Sequence, residues 1–215
     1  MTLALGRVES ARPSSSGLDP AALRVAEAVR ALFEALGLPR SDPHLRDTDI
    51  RMAKAYRELL SGLDPSSEPL LKTFANEEGY TGMVELTRIP LYSLCAHHFL
   101  PFFGTAHVAY LPGDRVVGLS KLARAVEFFA RRPQVQERLT QQLAEFLEDR
   151  LQARGVMVVI EARHLCMEMR GVRRHGVVTT TTASRGGFSD PGLRREFLAR
   201  ISRSGGGSPR PRRRP

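Results

Sequence analysis

Cysteine is scarce in this chain, with two among 215 residues, too few for a disulfide framework. Long apolar runs are missing too. None approaches the roughly 20 residues that a membrane-spanning helix needs, which excludes an integral helical membrane protein. The opening residues hold only a short apolar start before Arg7 and Glu9. That is too little for the core of a signal peptide, so export is not expected and the chain is read as cytoplasmic. No glycine-rich loop of the Walker or dinucleotide-binding type occurs. Acidic residues are absent from the stretch Ser202–Pro215, which carries five arginines.

What is present is ordinary globular material. Hydrophobic residues make up 42% and charged residues 26%, enough for one sizeable core. The net charge of +9 at first suggests nucleic acid. Five of those charges sit in the last fourteen residues and one lies in the leader up to Gly17, leaving +3 on the body. Nucleic acid is therefore not expected as a partner. The leader and the tail SGGGSPRPRRRP lack large apolar groups and cannot repay the entropy of ordering. Residues 1–18 and 202–215 are expected to be mobile, flanking a domain at 19–201.

Asp19 followed by Pro20 marks a helix start, and Val25, Val29, Leu32, Phe33 and Leu36 recur at helical spacing up to Gly37. A second helix is expected over Thr48–Leu60, with Met52, Ala53, Leu59 and Leu60 inward. Extended patterns cover Met83–Tyr92, Thr105–Leu111 and Arg115–Leu119. Ser120 is expected to cap a helix that Pro133 interrupts. Val135, Leu139, Leu143, Phe146, Leu147 and Leu151 then mark a long amphipathic helix ending at Gly155. Val156–Cys166 and Gly176–Thr182 read as strands, and Pro191–Ile201 as a last helix. The class is α+β with a mostly antiparallel sheet.

Both cysteines sit beside histidines, in Cys95-Ala96-His97-His98 and in His164-Leu165-Cys166. On a strand, Val158, Ile160, Ala162, His164 and Cys166 share one face. His164 and Cys166 thus emerge where the buried face ends, and polar groups there need a partner. Phe99-Leu100-Pro101 suggests a bend that lets Cys95 and His98 converge. Cys95, His98 and Cys166 make a Cys2His set, a class used by zinc sites that keep a fourth position for water. Spacing leaves open whether His97 or His164 closes the shell. Lys121 and Arg124 lie one turn apart and Arg170 follows Cys166; such cations near a helix start can seat phosphate. Gln136 and Glu137 fall in the first turn after Pro133, where a carboxylate can accept the N1 and N2 hydrogens of guanine.

The stretches LCAHHFLPFFG, GLSKLARAVEFFARRPQVQERLTQQ and HLCMEMRG, followed by a threonine run, resemble GTP cyclohydrolase I of the zinc-dependent type, from about Asp19 to Ile201. The resemblance implies a tunnelling fold: an antiparallel sheet with helices on one face, N-terminal helices at 19–62 and a catalytic part at 63–201. It implies Zn2+ on Cys95, His98 and Cys166, with His97, His164 and Ser120 catalytic. Ser120 also matches a position at the ribose and triphosphate, together with Lys54, Lys121, Arg124 and Arg170, and Gln136 and Glu137 match the guanine end. It further implies a homodecamer of two stacked pentamers with active sites between subunits, converting GTP and water to 7,8-dihydroneopterin triphosphate and formate in tetrahydrofolate and pterin biosynthesis. Three positions depart from the family pattern. Ala96 stands where glutamate is usual, Asp49 where a helix-starting proline is common, and Val177 where serine often precedes the threonines. The other readings are a paralogue feeding a deazaguanine or other secondary pathway, and a zinc- or GTP-binding protein without turnover.

Overall fold

The computed structural model describes residues 19–39 and 41–205; the leader and the end of the basic tail lie outside them. The chain divides into two compact units, one ending at Leu59 and the other beginning at Leu60.

The first unit is a pair of helices. α1 (Pro20–Ala35) starts as expected: the Asp19 side chain accepts the Ala22 amide hydrogen at 2.8 Å, satisfying one of the orphan donors of a helix start. α2 spans Thr48–Leu59. The contact between these helices differs from the expected leucine stripe. Ala22, Ala26, Val29 and Ala53 are buried, whereas Leu32, Leu36 and Leu59 are exposed. Small residues let the backbones approach, and Asp49 is drawn into the contact by an ion pair with Arg30. Asp49 is therefore a buried tie between the two helices rather than only a helix-start charge.

The second unit holds a small ribbon, β1 (Thr73–Ala75) against β4 (Arg115–Val117), and a five-stranded sheet. The large sheet runs β5-β2-β3-β6-β7, from β2 (Val84–Cys95), β3 (Pro101–Leu111), β5 (Pro133–Gln134), β6 (Gly155–His164) and β7 (Thr179–Gly186). Neighbouring strands are antiparallel except β5, which runs parallel to β2. α3 (Leu119–Ala130) and α4 (Gln136–Leu151) lie on one face. Leu122, Val126, Leu139, Leu143 and Leu147 from these helices join Val108, Val158 and Ile160 of the sheet in the main core. Met157 and Val159, alternating with those residues, point to the other face. There they meet Phe188 and, from α6 (Pro191–Gly205), Phe197 and Ile201.

Several boundaries differ from expectation. Ser120 does not cap α3: Gly118 is the capping residue, and its carbonyl accepts from the Lys121 amide at 2.8 Å. α4 stops at Leu151 because Gln152 turns left-handed at φ 50°, and Gly155 instead opens β6. Strand β6 ends at His164, and Cys166 lies in a helical turn, α5 (Leu165–Glu168). Alternation along the strand therefore does not set the direction of Cys166. β2 and β3 are longer than expected and run to the hairpin that joins them. A bulge interrupts their ladder between Leu86 and Ile89, where the Arg88 amide donates to buried His107 Nδ1 at 3.3 Å.

The close pairing of β3 and β6 needs glycine at 104. A Cβ there would stand 1.9 Å from the Glu161 carbonyl oxygen and 2.7 Å from Ala162 Cα, and backbone cannot yield as a side chain does. Gly104→Ala should lower unfolding stability by about 2–3 kcal/mol, read as a lower urea midpoint. An unchanged midpoint would contradict this packing.

Candidate metal and catalytic site

The two cysteine–histidine segments meet because of strand register. β2 and β3 are joined through residues 96–100, and Leu94 pairs with Pro101. The hairpin closes on Cys95, whose amide donates to the Leu100 carbonyl at 2.9 Å and whose carbonyl accepts from Phe99 at 2.8 Å. Phe99 adopts φ 54°, a left-handed conformation uncommon for residues with side chains, and this tightens the expected bend. One residue into β3, Phe102 pairs with His164. The end of β6 and the turn carrying Cys166 therefore stand beside the hairpin.

The result is a compact donor set. The ligand atoms of Cys95, His98 and Cys166 all lie within 4.8 Å of one another, with Cys95 buried, Cys166 half-buried and His98 exposed. Cys95 Sγ is 3.9 Å from His98 Nδ1 and 4.0 Å from His97 Nδ1. Burial pushes the Cys166 thiol up, and the adjoining Cys95 sulfur pushes it the same way. Two thiols so close resist ionising together unless a cation sits between them. The donors fit a soft, tetrahedral-preferring divalent metal, and their burial gradient leaves His98 at the open side.

His164 stands beside this set at the end of β6, its ring stacked on Phe102 with centroids 4.6 Å apart and planes 5° from parallel. Burial lowers its pKa, and the charge of Glu137 opposes that shift. Gln136 and Glu137 open α4, which β5 places here by pairing Gln134 with Cys95. The two side chains diverge. Glu137 is exposed, whereas Gln136 is 2% exposed and bonds through Oε1 to His164 Nε2 at 2.8 Å.

The other sequence candidates are spread more widely. Ser120, Lys121 and Arg124 lie on the first turns of α3, exposed, half-buried and exposed in that order. Arg170 is exposed just beyond α5, and its charge acts on Cys166 against the upward shift. Lys54 is exposed on α2, in the first unit. Ala96 is half-buried in the hairpin, where its amide donates to the Gln134 carbonyl at 2.8 Å, and Val177 is exposed just before β7.

Sequence reasoning missed the supports of the site. Phe102 fixes the plane of His164. Arg163 grips buried Glu168 through two hydrogen bonds, at 2.8 and 2.6 Å, and this clamp holds α5, with Cys166 on it, against the strand. Hydrogen bonding to Arg163 keeps the Glu168 carboxyl below its usual range. The signal was faint: an arginine five residues before a glutamate straddling Cys166, and a doubled phenylalanine after the hairpin.

Residues 25–202 match the family model described as GTP cyclohydrolase I. The chain belongs to the GTP cyclohydrolase I family. It is 51% identical over 183 residues to GTP cyclohydrolase 1 of Mycobacterium ulcerans (strain Agy99), covering 84% of this chain and 90% of that protein. To GTP cyclohydrolase 1 of Corynebacterium glutamicum (strain ATCC 13032) it is 52% identical over 171 residues, 78% of this chain and 86% of the other. A crystal structure of the archaeosine synthase QueF-Like in the apo form is 20% identical with a TM-score of 0.41, covering 50% of this chain and 97% of that one. That likeness is too slight to bear on function. The α+β architecture of this GTP cyclohydrolase I family member is the tunnelling fold of its family, and the chain is an enzyme of this type.

The donor set makes a direct expectation. Cys166→Ala should purify with little bound metal after zinc loading, while the wild-type chain holds about one ion. Wild-type metal content in that variant would overturn the assignment.

Proposed function

We propose that this chain converts GTP and water to 7,8-dihydroneopterin triphosphate and formate, the entry step of tetrahydrofolate and pterin synthesis, with zinc on Cys95, His98 and Cys166. The observation that carries the reading is the oriented imidazole of His164 beside a three-donor metal set, in a chain half identical to GTP cyclohydrolase 1 proteins. Bound zinc would supply Lewis acidity, making a water nucleophilic near neutral pH.

The chain's own residues supply the rest. His164 donates a proton at guanine N7 as the bond from C8 is broken, a task suited to an imidazole. A second hydrolysis at the same carbon frees formate, and closure of the new ring returns a water, so one water is consumed overall. His97, on the exposed side of the hairpin, and Ser120 assist the proton transfers as the ribose opens and rearranges. Glu137 accepts the N1 and N2 hydrogens of guanine with its exposed carboxylate, and Gln136 beside it marks the same end of the site. Lys121, Arg124 and Arg170 neutralise the triphosphate, with Ser120, Lys121 and Arg124 near the start of α3, where the helix dipole favours anions.

The domain organisation under this reading is a helical segment at 19–62 and a catalytic part at 63–201. The assembly is a decamer of two stacked pentamers with active sites between subunits. What supports it is an edge strand, β7, at one end of the sheet, and the exposed apolar side chains of Met169, Val172, Val177 and Val178 between Cys166 and that strand. Such groups gain by burial against a neighbour.

The test is His164→Ala. Formate release from GTP should fall by about 10²-fold or more, with nucleotide binding and zinc content kept. Full turnover in that variant would remove His164 from the proton-donor role.

A further inference from the structure

Gln136 is the one member of the guanine-end pair whose side chain is spent inside the protein. Its Nε2 lies 3.0 Å from the Ile160 carbonyl oxygen, 2.9 Å from that of Thr179 and 3.1 Å from Thr181 Oγ1. Carbonyl oxygens only accept, so the nitrogen must stand there, and a flipped amide would set oxygen against two carbonyls. Thr140 Oγ1 donates to the Gln136 carbonyl at 2.8 Å and lies 2.7 Å from Thr181 Oγ1. The Thr140 hydrogen is thus committed, the Thr181 hydroxyl donates to Thr140, and the Thr181 oxygen remains free to accept from Gln136. The two hydrogens of Gln136 Nε2 are thus shared among three acceptors, all of which require the nitrogen on that side.

The consequence falls on His164. Gln136 Oε1 has no hydrogen to give, and it lies 2.8 Å from His164 Nε2, so Nε2 must carry the hydrogen of that bond. The ring plane is held independently by Phe102 at 4.6 Å. We propose that Gln136 is a positioning residue that holds the His164 hydrogen on Nε2, so that the proton His164 gives in turnover is taken up and released at Nδ1, through the imidazolium. This rests on the proton-donor role given to His164 above. It assigns the Gln136 amide to the histidine rather than to the guanine base, because contact with the base would break bonds to Ile160, Thr179 or Thr181. Through those partners, on β6 and β7, the threonine run acquires a function: it sets the amide that sets the imidazole.

The first test reads the resting protein. In zinc-loaded chain with 15N-labelled histidine, the His164 resonances are assigned by their loss in His164→Ala, and the nitrogens are read by long-range or solid-state NMR. The expected result is hydrogen on Nε2; a bare Nε2 would overturn the proposal. This holds whether or not GTP is turned over, so its failure is distinct from failure of the proposed function, which shows as absent formate. The second test is Gln136→Met, similar in length but without the amide. With zinc content unchanged, kcat should fall about tenfold or more, KM for GTP should stay within about twofold, and the His164 hydrogen should distribute over both nitrogens. A raised KM with unchanged kcat and unchanged hydrogen placement would make Gln136 a base contact and overturn the inference. Should the methionine variant not fold, the measurement on the unaltered chain decides alone.

Discussion

The central position of β3 is the constraint from which the site follows. It pairs with β2 on one side and β6 on the other, and its first residues carry both partners to the same end of the sheet. Leu94 opposite Pro101 and Phe102 opposite His164 bring the Cys95 hairpin and the Cys166 turn together. A shift of one residue in either ladder would send alternate side chains to the other face. Gly104 admits the close approach to β6, and the apolar residues of α3 and α4 hold the pairing by burial.

Three buried polar side chains at this end of the core are tolerated because each is engaged. Glu168 is buried but doubly bonded to Arg163, and Gln136 is buried but uses both ends of its amide. Ser93, also buried, donates to the Ala130 carbonyl at 2.7 Å. The two thiols are the exception. Burial and the neighbouring Cys95 sulfur push the Cys166 thiol towards its neutral form, and a cation bound between the two sulfurs would resolve that conflict. Gln136, Glu168 and Ser93 are each bonded within the protein, whereas the donor atoms of Cys95, His98 and Cys166 converge on one point, the place for a ligand.

Much of this was legible in the sequence. Scarcity made Cys95 and Cys166 conspicuous, and their histidine neighbours identified the chemistry. The Asp19–Pro20 helix start, the hairpin bend after His98 and the helix closed by the stripe from Leu139 to Leu151 rest on local rules, and the structure keeps them. What escaped depends on contacts distant in sequence. Ser120 has the chemistry of a cap, but Gly118 takes that place. Cys166 reads as part of a β-branched run, yet the strand ends at His164 and a helical turn carries the thiol. Asp49 looks like a charge for a helix start, and it stands in the first turn of α2 but is also held by Arg30 of α1. Gln136 reads as a first-turn residue at the guanine end, because nothing nearby in sequence names the carbonyls of Ile160 and Thr179 as its partners.

On the proposed function, the donor set and the oriented histidine together carry GTP through ring opening, loss of formate and closure of the pterin. Freshly purified protein with its zinc quantified should be given GTP while formate and fluorescent pterin are measured side by side. Both products are expected in equal amounts, with Ala96 and Val177 tolerated. Neither product from a chain holding about one zinc would contradict that function.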